Sequence, residues 1–312
     1  MNILDFSIIV PVYYNEGSVK NTFERLHEKV IKQNDPKSFE VIFIDDGSKD
    51  QSLKVLLNLK NQFPELVKII KFTRNFGQVS AMQAGYEYAR GKTIINISAD
   101  LQDPPELINK MIEVNIKEGY DIVICSREDR EEGFFRKITS RFFYRLMKKL
   151  SFAQMPKGGF DFVLMNSKVK DALLRMKETN PFWQGQILWT GYKAKFIPYT
   201  RLKRESGKSR WTFSKKIKYL LDGVMGYSYL PLRVMSVLGI LLFIAGVIYA
   251  TAIAVLYFFG NVPFKGWAPI MILILILSGI QMLMLGIIGE YLWRTLDQAR
   301  NREKYIIEEV YE

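Results

Sequence analysis

The stretch Ser98–Pro105 holds the residues best suited to chemistry in this chain. It reads Ser-Ala-Asp-Leu-Gln-Asp-Pro-Pro and follows directly on the apolar, strand-like run Thr93–Ile97. The carboxylate of Asp100 and the amide of Gln102 therefore enter a turn at the end of a buried strand. Hard oxygen ligands in that position suit a Mg²⁺ or Mn²⁺ ion that carries phosphate oxygens. We predict a metal site formed by these two residues.

The second half of the stretch has the features of a helix start. Asp103 is suited to cap a helix, Pro104 to occupy its first position, and Glu106 lies three residues after the cap. A capping carboxylate accepts hydrogen bonds from backbone N–H groups of the first turn. We therefore predict Asp103 as a cap and not as a metal ligand.

Strand-like and helical patterns alternate through the first 125 residues. Short apolar runs indicate strands at Phe6–Val12, Phe39–Ile44, Val67–Phe72, Thr93–Ile97 and Asp121–Cys125. Helical patterns separate them at Val19–Lys32, Gln51–Gln62, Val79–Ala89 and Pro105–Lys117. This alternation predicts an α/β fold with a mostly parallel sheet that is covered on both faces.

Polar side chains collect where these predicted strands end. They are Asn15 and Glu16 after the first strand, Asp45 and Asp46 after the second, Arg74 and Asn75 after the third, and Asp100 after the fourth. Each of them alone is compatible with a turn or a cap. Ligands of parallel sheets bind beyond the carboxyl ends of the strands, so four coincident strand ends predict a binding site.

The turn after the first strand excludes two common nucleotide-binding folds. A dinucleotide fold needs a glycine-rich turn there, because its backbone approaches a pyrophosphate closely. Here the turn is Pro11-Val-Tyr-Tyr-Asn-Glu-Gly17, with one glycine and an acid where the diphosphate would lie, and a P-loop sequence is equally absent. Nucleotide phosphates must then be held by a metal and by side chains.

The composition limits the remaining classes of protein. Among 312 residues, 44 lysines and arginines against 32 acidic residues give a formal charge of +12, which predicts nucleic acid, phosphorylated ligands or a membrane surface as partners. The single cysteine, Cys125, excludes an internal disulfide and a cysteine-rich zinc site. The single histidine, His27, excludes a multi-histidine metal centre within one chain.

Two long segments without charged residues predict a membrane hairpin. Met235–Phe259 and Trp267–Gly289 are each long enough, at about 1.5 Å per residue, to exceed the roughly 30 Å hydrocarbon core of a bilayer. The flanks of this hairpin are more basic than the connector between its two halves, which places both flanks in the cytoplasm. Phe213–Tyr229 has the pattern of an amphipathic helix on the membrane surface.

Four motifs in order, together with the two spans, resemble one enzyme family. The motifs are Pro11–Gly17, Asp45-Asp-Gly-Ser48, Arg74-Asn-Phe-Gly77 and Asp100-Leu-Gln-Asp-Pro-Pro105. The chain resembles inverting family-2 glycosyltransferases with a GT-A fold, over essentially its whole length. Within them it is similar to polyprenyl-phosphate glycosyltransferases, that is, to dolichol-phosphate mannose synthase and its bacterial relatives with two C-terminal spans.

The resemblance implies a domain organisation and an activity. The domains would be a cytoplasmic GT-A catalytic domain at 1–211, an amphipathic juxtamembrane region at 212–231, two spans within 232–295 (about 235–259 and 267–289) and a cytoplasmic tail at 296–312. The activity would be inverting transfer of a hexose-type sugar from a UDP-linked donor to undecaprenyl or another polyprenyl phosphate. The product would be a β-linked lipid phosphate sugar, made at the cytoplasmic face of the inner membrane.

The resemblance also implies donor and metal residues. The nucleoside would be bordered by Pro11, Tyr13, Asn15, Glu16 and Gly77, with Asp45 or Asp46 bonding the base or ribose, and with Arg204 near the donor phosphates. Asp100 and Gln102 would hold Mg²⁺ or Mn²⁺ on the diphosphate. The family has an acid at the position of Ser98, so this chain has one formal charge less there, and Ser98 is not counted as a direct ligand.

The acceptor side follows from the same resemblance. The lipid phosphate would be bound by Arg127, Arg136, Ser140, Arg204, Lys208 and Ser209. Asp161 matches the position of the catalytic base, and Asp100 acts in catalysis through the metal. A structural carboxylate that closes a loop is the alternative for Asp161. The partners implied are a nucleotide sugar, a polyprenyl phosphate and the membrane, with no nucleic acid.

Two other functions remain open from the sequence. A processive polysaccharide synthase shares the front motifs but carries a Gln-x-x-Arg-Trp element, of which Ser209-Arg-Trp211 is only an echo. A non-catalytic, nucleotide-binding membrane subunit is conceivable because of Ser98. A homo-oligomer is compatible with the small residues of the predicted spans, which permit close helix packing: Gly239, Gly246, Gly279, Gly286 and Gly289.

Overall fold

The chain forms two compact units in this computed structural model. The structure describes residues 4–129, 145, 148, 152–156, 158–202, 221–228, 230–258 and 268–312. The first unit comprises Met1–Gly223 together with Glu303–Glu312, and the second comprises Val224–Arg302.

The first unit is built on an eight-stranded sheet. Its strands are β1 Leu4–Val12, β2 Phe39–Asp45, β3 Val67–Phe72, β4 Gly91–Asn96, β5 Ile122–Asp129, β6 Phe162–Asn166, β7 Ala194–Thr200 and β8 Ile307–Tyr311. Its helices are α1 Val19–Leu26, α2 Ser52–Gln62, α3 Gln78–Tyr88, α4 Leu107–Glu118, α5 Ser167–Arg175 and α6 Trp183–Trp189. A π-helical turn at His27–Ile31 and a 3₁₀ turn at Lys32–Asn34 extend α1.

The strand order places the carboxyl ends of the first strands side by side. The strands lie in the order β7-β5-β6-β4-β1-β2-β3-β8. β1 is parallel to β2 and β4, β2 to β3, and β5 to β7, whereas β6 and β8 are antiparallel to their neighbours. Val12 pairs with Asp45, and Asp45 with Lys71, so β1, β2 and β3 end at one level. The predicted mostly parallel α/β sheet is confirmed.

The apolar runs form strands because helices cover both faces of the sheet. Every residue of β2 is buried, and so are Ile8, Ile9 and Val10 in β1. α1 turns Phe23 and Leu26 into the same core. Burying one such side chain contributes about 1.5–3 kcal/mol, so the core fixes where these strands can lie.

The predicted elements of the first 125 residues correspond to β1–β5 and α1–α4 within a few residues at each end. Three strands, β6, β7 and β8, have no counterpart among the predicted elements. β8 lies in the segment predicted as a tail, and it pairs with the outer edge of β3. Its sequence, Ile-Glu-Glu-Val-Tyr, is short and has two adjacent acidic residues among five, so hydrophobic periodicity alone does not indicate a strand there.

The second unit contains two long helices, α7 Leu230–Phe258 and α8 Ala268–Ala299. Segments long and apolar enough to cross a membrane occupy Leu230–Tyr249 and Ile276–Ala299. Large apolar side chains are exposed along both helices, among them Phe243, Phe258 and Met282. Contiguous apolar surface of this kind marks a membrane or partner surface. The two predicted spans thus correspond to two apolar helices.

Candidate active site

The turns after β1 and β4 are bonded together at the point where the strand order reverses. The chain runs from β1 through β2 to β3 on one side and then returns to β4 on the other side of β1. Ser18 Oγ donates to the carbonyl oxygen of Ala99 at 2.7 Å, and Thr22 Oγ1 donates to the same oxygen at 3.1 Å. The start of α1 and the turn that carries Asp100 therefore form one wall. A crevice at this point is where parallel sheets bind ligands.

The turn after β1 is also tied to the turn after β2. The backbone N–H of Asn15 donates to Ser52 Oγ at 2.8 Å, and the Glu16 carboxylate accepts the N–H of Gln51 at 2.8 Å. Asn15 Oδ1 accepts the N–H of Tyr13 at 2.9 Å. Asn15 and Glu16, both predicted to border the nucleoside, thus fix the shape of the turn through these bonds.

Two residues in these turns adopt left-handed backbone conformations although they are not glycines. Tyr14 and Leu101 each have a φ of 57°. Such conformations cost energy for residues with a side chain and concentrate at functional sites. Pro11 and Tyr13, also predicted to border the nucleoside, are partly exposed beside Tyr14. Leu101 lies between the two predicted metal ligands.

Asp45 and Asp46 are adjacent but have different partners. Asp45 is 0% exposed, and its Oδ1 accepts the N–H of Ser48 at 3.1 Å. Its Oδ2 is buried and has no hydrogen-bond partner within the described part of the chain. Burial raises the pKa of Asp45, against the hydrogen bonds from Ser48. An unsatisfied buried carboxylate oxygen is unfavourable unless a ligand donates to it.

The Asp46 carboxylate is instead used by the loop after β3. It accepts the side-chain amide of Asn75 at 2.8 Å, the backbone N–H of Phe76 at 2.6 Å and that of Gly77 at 3.0 Å. Three hydrogen bonds to one ionised group are strong, so this loop has one preferred position. Gly77, predicted to border the nucleoside, is therefore held by Asp46.

Asp100 and Gln102 lie in the turn after β4, as predicted. The Asp100 side chain is buried, and its Oδ1 accepts the N–H of Gln102 at 3.3 Å. The side-chain amide nitrogen of Gln102 donates a hydrogen bond to the Leu202 carbonyl at 3.3 Å. The side-chain oxygen of Gln102 is the atom that could bind a metal ion. The described residues contain no group of three His, Cys, Asp or Glu side chains suited to a metal. Two oxygen donors fit Mg²⁺ or Mn²⁺ that takes its other ligands from phosphate and water.

The prediction that Asp103 caps a helix is wrong. α4 begins at Leu107, with Glu106 in the cap position. Asp103 is 1% exposed and lies at the centre of a buried polar cluster. It accepts hydrogen bonds from Ser98 Oγ at 2.7 Å and from the hydroxyl of Tyr199. The tertiary partner outcompetes the local one because β7 brings a hydroxyl donor to a carboxylate that is already out of water.

Arg201 adds a positive charge to the same cluster. Its Nε lies 3.3 Å from Asp103 Oδ1, close enough for an ion pair although the N–H is not aligned for a hydrogen bond. Burial and the Asp103 carboxylate raise the pKa of Tyr199, so its hydroxyl stays protonated and donates. Both carboxylate oxygens of Asp103 therefore have partners within the cluster.

Tyr199 connects this cluster to Arg127 and Asp161. Arg127 Nε donates to the Tyr199 hydroxyl at 3.5 Å, and Arg127 Nη2 forms an ion pair with Asp161 Oδ2. The Arg127 side chain is only 4% exposed, whereas that of Asp161 is 35% exposed. Burial lowers the pKa of Arg127, but the carboxylates of Asp161 and Asp103 raise it well above its usual value. The guanidinium is thus permanently charged and points its Nη2 at Asp161.

The loop before β6 brings Asp161 to Arg127. A Cβ at Gly158 would lie 2.4 Å from the carbonyl oxygen of Arg127, so only glycine permits this approach. Gln184 on α6 fixes the other side, since its Nε2 donates to the Phe160 carbonyl at 2.6 Å and lies 3.4 Å from Asp161 Oδ1. Asp161 is held between an arginine and an amide.

Comparison with known proteins assigns this arrangement to a family. The family model described as "Glycosyl transferase family 2" matches residues 7–174, and the model "GtrB C-terminal hairpin" matches residues 230–294. The chain belongs to glycosyl transferase family 2. It is therefore a glycosyltransferase, as its motifs predicted.

Relatives in this family match the chain over nearly its full length. An "uncharacterized glycosyltransferase YkcC" of Bacillus subtilis (strain 168) is 40% identical, covering 99% of this chain and 94% of that protein. The "bactoprenol glucosyl transferase" of Shigella phage SfII is 34% identical, covering 97% of both. A solved structure, the mannosyltransferase PcManGT from Pyrobaculum calidifontis in complex with GDP-Man and Mn2+, is 14% identical with a TM-score of 0.47, covering 72% of this chain and 64% of that one. We draw nothing about the donor or metal of this chain from a structural similarity of this size.

Several residues that the family resemblance assigns lie outside the described part of the chain. They are Arg136, Ser140, Arg204, Lys208 and Ser209, together with most of the predicted amphipathic helix at 213–229. Three other residues of the site were not predicted as functional: Asp103, Gln184 and Tyr199. Asp103 lies in the same polar stretch as Asp100 and Gln102, and Gln184 and Tyr199 belong to none of the four motifs, so the sequence does not distinguish a site residue from a structural hydrogen bond at these positions.

Proposed function

We propose that this glycosyltransferase moves a hexose-type sugar from a UDP-linked donor to undecaprenyl phosphate, with inversion. The observation that carries the proposal is the buried polar chain from Asp103 through Tyr199 and Arg127 to Asp161. It joins a turn suited to a metal and a diphosphate to an arginine–carboxylate pair suited to a second phosphate. Relatives named bactoprenol glucosyl transferases support a polyprenyl phosphate as the acceptor.

The donor nucleoside would lie beyond β1, β2 and β3. Asp45 supplies its unpaired Oδ2 to an N–H of the base or a hydroxyl of the ribose. Asp46 acts indirectly, because its carboxylate is already used to hold the 75–77 backbone. The remaining donor contacts are assigned to Pro11, Tyr13, Asn15, Glu16, Gly77 and Arg204.

Asp100 and Gln102 would hold Mg²⁺ or Mn²⁺ against the donor diphosphate. The ion, when bound, neutralises the charge that develops on the departing diphosphate. With Ser98 in place of the acid usual in the family, the chain offers a single carboxylate for this purpose, so phosphate oxygens supply a larger share of the coordination.

The acceptor phosphate would meet Arg127 and Asp161. The second pKa of a phosphate monoester is near 6, so the acceptor is mostly dianionic at neutral pH and needs little proton abstraction. Asp161 therefore serves mainly to orient Arg127 and the acceptor, although it occupies the position of a base. The other acceptor contacts are assigned to Arg136, Ser140, Arg204, Lys208 and Ser209.

The reaction is a single displacement at the anomeric carbon. A phosphate oxygen of the lipid forms a bond to that carbon from the face opposite the leaving group. The bond from the carbon to the nucleoside diphosphate breaks, and its electron pair leaves with the diphosphate. An α-linked donor thus gives a β-linked product. In-line positioning and fixed positive charge supply most of the rate enhancement.

The setting of the site is the inner membrane. The two apolar helices would span it, with the catalytic unit on the cytoplasmic side. Residues 1–223 and 303–312 belong to one compact unit, which supports the proposal that both ends of the hairpin are on the same side of the membrane. The polyprenyl phosphate group would reach the catalytic unit from the bilayer surface.

A donor screen tests the proposal. Purified full-length protein in detergent or nanodiscs is incubated with undecaprenyl phosphate, Mg²⁺ and single nucleotide sugars, and the lipid product is identified by mass. We expect one sugar to be added per lipid. Asp100→Ala should abolish transfer and still insert in the membrane, whereas Asp171→Ala, an exposed carboxylate on α5, should retain activity. Polymeric product, or full transfer by Asp100→Ala, would contradict the proposal.

A further inference from the structure

Residues 304–311 pack against the part of the first unit that leads into the 74–77 loop. β8 pairs antiparallel with β3, and Ile307 lies opposite Phe72. Beyond that pair, the backbone N–H of Thr73 donates to the Ile306 carbonyl at 3.2 Å. The pairing thus continues to the residue before the loop that Asp46 holds.

Tyr305 contacts both elements that flank this loop. Its ring stacks on Phe72 at the end of β3, with ring centroids 5.0 Å apart and 9° between the planes. Its hydroxyl lies near the carboxylate of Glu87 on α3, and burial and this carboxylate together raise the pKa of Tyr305. Tyr305 therefore packs directly on the β3 end of the 74–77 loop and also lies near the last turn of α3, the helix that follows the loop.

Aromatic contacts continue from Tyr305 into the loop. Phe72 meets Phe76 edge-on, with centroids 5.8 Å apart and planes at 90°. The guanidinium of Arg74 lies 4.1 Å from the centroid of the Phe76 ring, and the Phe76 N–H donates to Asp46. Rigid rings in contact transmit a displacement because they have few ways to rearrange. The path runs from Tyr305 through Phe72 and Phe76 to Asp46.

The loop is equally confined on the side of β2. Gly47 has a φ of +68°, and a Cβ there would lie 2.5 Å from the carbonyl carbon of Arg74. The 45–48 and 74–77 loops are therefore packed backbone against backbone. A shift of the 74–77 loop must displace residues next to Asp45.

We infer that Tyr305 is a positioning residue for donor binding, acting through the 74–77 loop on the Asp45 side of the nucleoside site. The inference rests on the proposed function, which places the nucleoside at these two loops. Small misplacements of binding groups cost much of their contribution, so a residue that touches no substrate still affects affinity. Residues 304–311, which follow the hairpin, would then contribute to donor binding.

Three variants test this inference in the full-length protein. Tyr305→Ala removes the ring and the hydroxyl, Tyr305→Phe keeps the stacked ring, and Tyr311→Ala removes a tyrosine of β8 that packs on the core away from the loop. Donor KM and kcat are measured with the nucleotide sugar that the wild type uses fastest. Binding of UDP with Mg²⁺ is measured by calorimetry, and thermal midpoints are measured for every variant.

We expect Tyr305→Ala to raise donor KM and the UDP dissociation constant about tenfold, with kcat within about twofold. Tyr305→Phe should recover most of the affinity, and Tyr311→Ala should lower the thermal midpoint without changing donor KM. Unchanged affinity in Tyr305→Ala, or equal losses in Tyr305→Ala and Tyr311→Ala, would overturn the inference. If Tyr305→Ala does not fold, Tyr305→Leu takes its place in the same comparison.

The two proposals fail in distinguishable ways. A wild-type protein that transfers no sugar to a polyprenyl phosphate refutes the proposed function. UDP binding by calorimetry needs no acceptor, so the effect of Tyr305 on donor affinity is still decided in that case.

Discussion

At the scale of single residues, Asp45 and Asp46 show how neighbours of one type acquire separate roles. The Asp46 carboxylate is satisfied by the 75–77 loop, whereas Asp45 has a buried oxygen without a partner among the described residues. A buried charge without a partner destabilises the folded state. The chain accepts that cost at Asp45, which is the expected signature of a binding group.

The variant Asp45→Asn should separate the effect of Asp45 on stability from its effect on donor binding. The pKa of Asp45 is raised by burial, so above that pKa the folded protein holds a charge that the unfolded chain solvates better. The wild type therefore loses stability relative to the variant at neutral pH, and this loss disappears as the pH falls through the raised pKa. Thermal midpoints from pH 4 to 8 should show the difference, variant minus wild type, shrinking toward low pH. Donor KM should rise roughly tenfold, the loss of one hydrogen bond to a charged group. A difference that is constant with pH would refute this account.

The contacts of Ser98 explain why a serine fits at this position. Its hydroxyl donates to Asp103 at 2.7 Å. An acid here, which the family resemblance implies as the usual residue, would add a second negative charge beside the Asp103 carboxylate. Ser98 therefore belongs to the buried cluster through its hydrogen bond to Asp103.

At the scale of elements, three parts of the fold meet at Tyr199. The residue belongs to β7, its hydroxyl donates to Asp103 in the turn after β4, and it accepts from Arg127 on β5. β7 and β5 are adjacent parallel strands, which puts Tyr199 opposite Arg127 in the register. The pairing of β5 with β7 therefore places the turn after β4 close to the pair formed by Arg127 and Asp161.

Tyr199→Phe should lower kcat roughly tenfold and leave donor KM within about twofold. The reason is that Asp103 and Arg127 both lose a shared buried partner, and Arg127 then no longer holds Asp161 in one position. Tyr192→Phe, which keeps its ring near Lys168, is the matched control and should behave as the wild type. Steady-state kinetics against both substrates would check this. An unchanged kcat in Tyr199→Phe would show that the cluster only stabilises the fold.

At the scale of the whole molecule, the first compact unit contains residues that come before the hairpin and residues that come after it. Glu303–Glu312 belongs to the same compact unit as Met1–Gly223, and β8 forms the eighth strand of its sheet. If the hairpin spans a membrane, as proposed, we expect an even number of crossings between these two stretches. Two apolar helices satisfy that expectation.

Cysteine labelling tests this topology. The native Cys125 is buried, and burial raises the pKa of its thiol, so it should not react with a maleimide in the folded protein. Asn261→Cys in the connector should react with a membrane-impermeant maleimide on intact cells. Asp171→Cys, exposed on α5, should react only after the membrane is opened. Labelling of both positions on intact cells would contradict the proposed orientation.

The sequence by itself determined the α/β class, the first five strands, the two apolar helices and the family. These follow from local information, because strands and spans are contiguous apolar runs and the motifs lie directly after strands. It also placed Asp100 and Gln102 in a turn at the end of β4, although their role as metal ligands stays a prediction.

Only the tertiary structure decided which polar residues serve each other. Asp103 has the spacing of a cap, yet its partners come from β7, and Tyr305 has no motif at all, yet it stacks on Phe72. β8 is an edge strand that pairs with the backbone groups offered by β3, and its own sequence has no alternating pattern to predict it. Such choices depend on long-range contacts and buried polar groups, whose energies exceed local propensities but leave no periodicity in the chain.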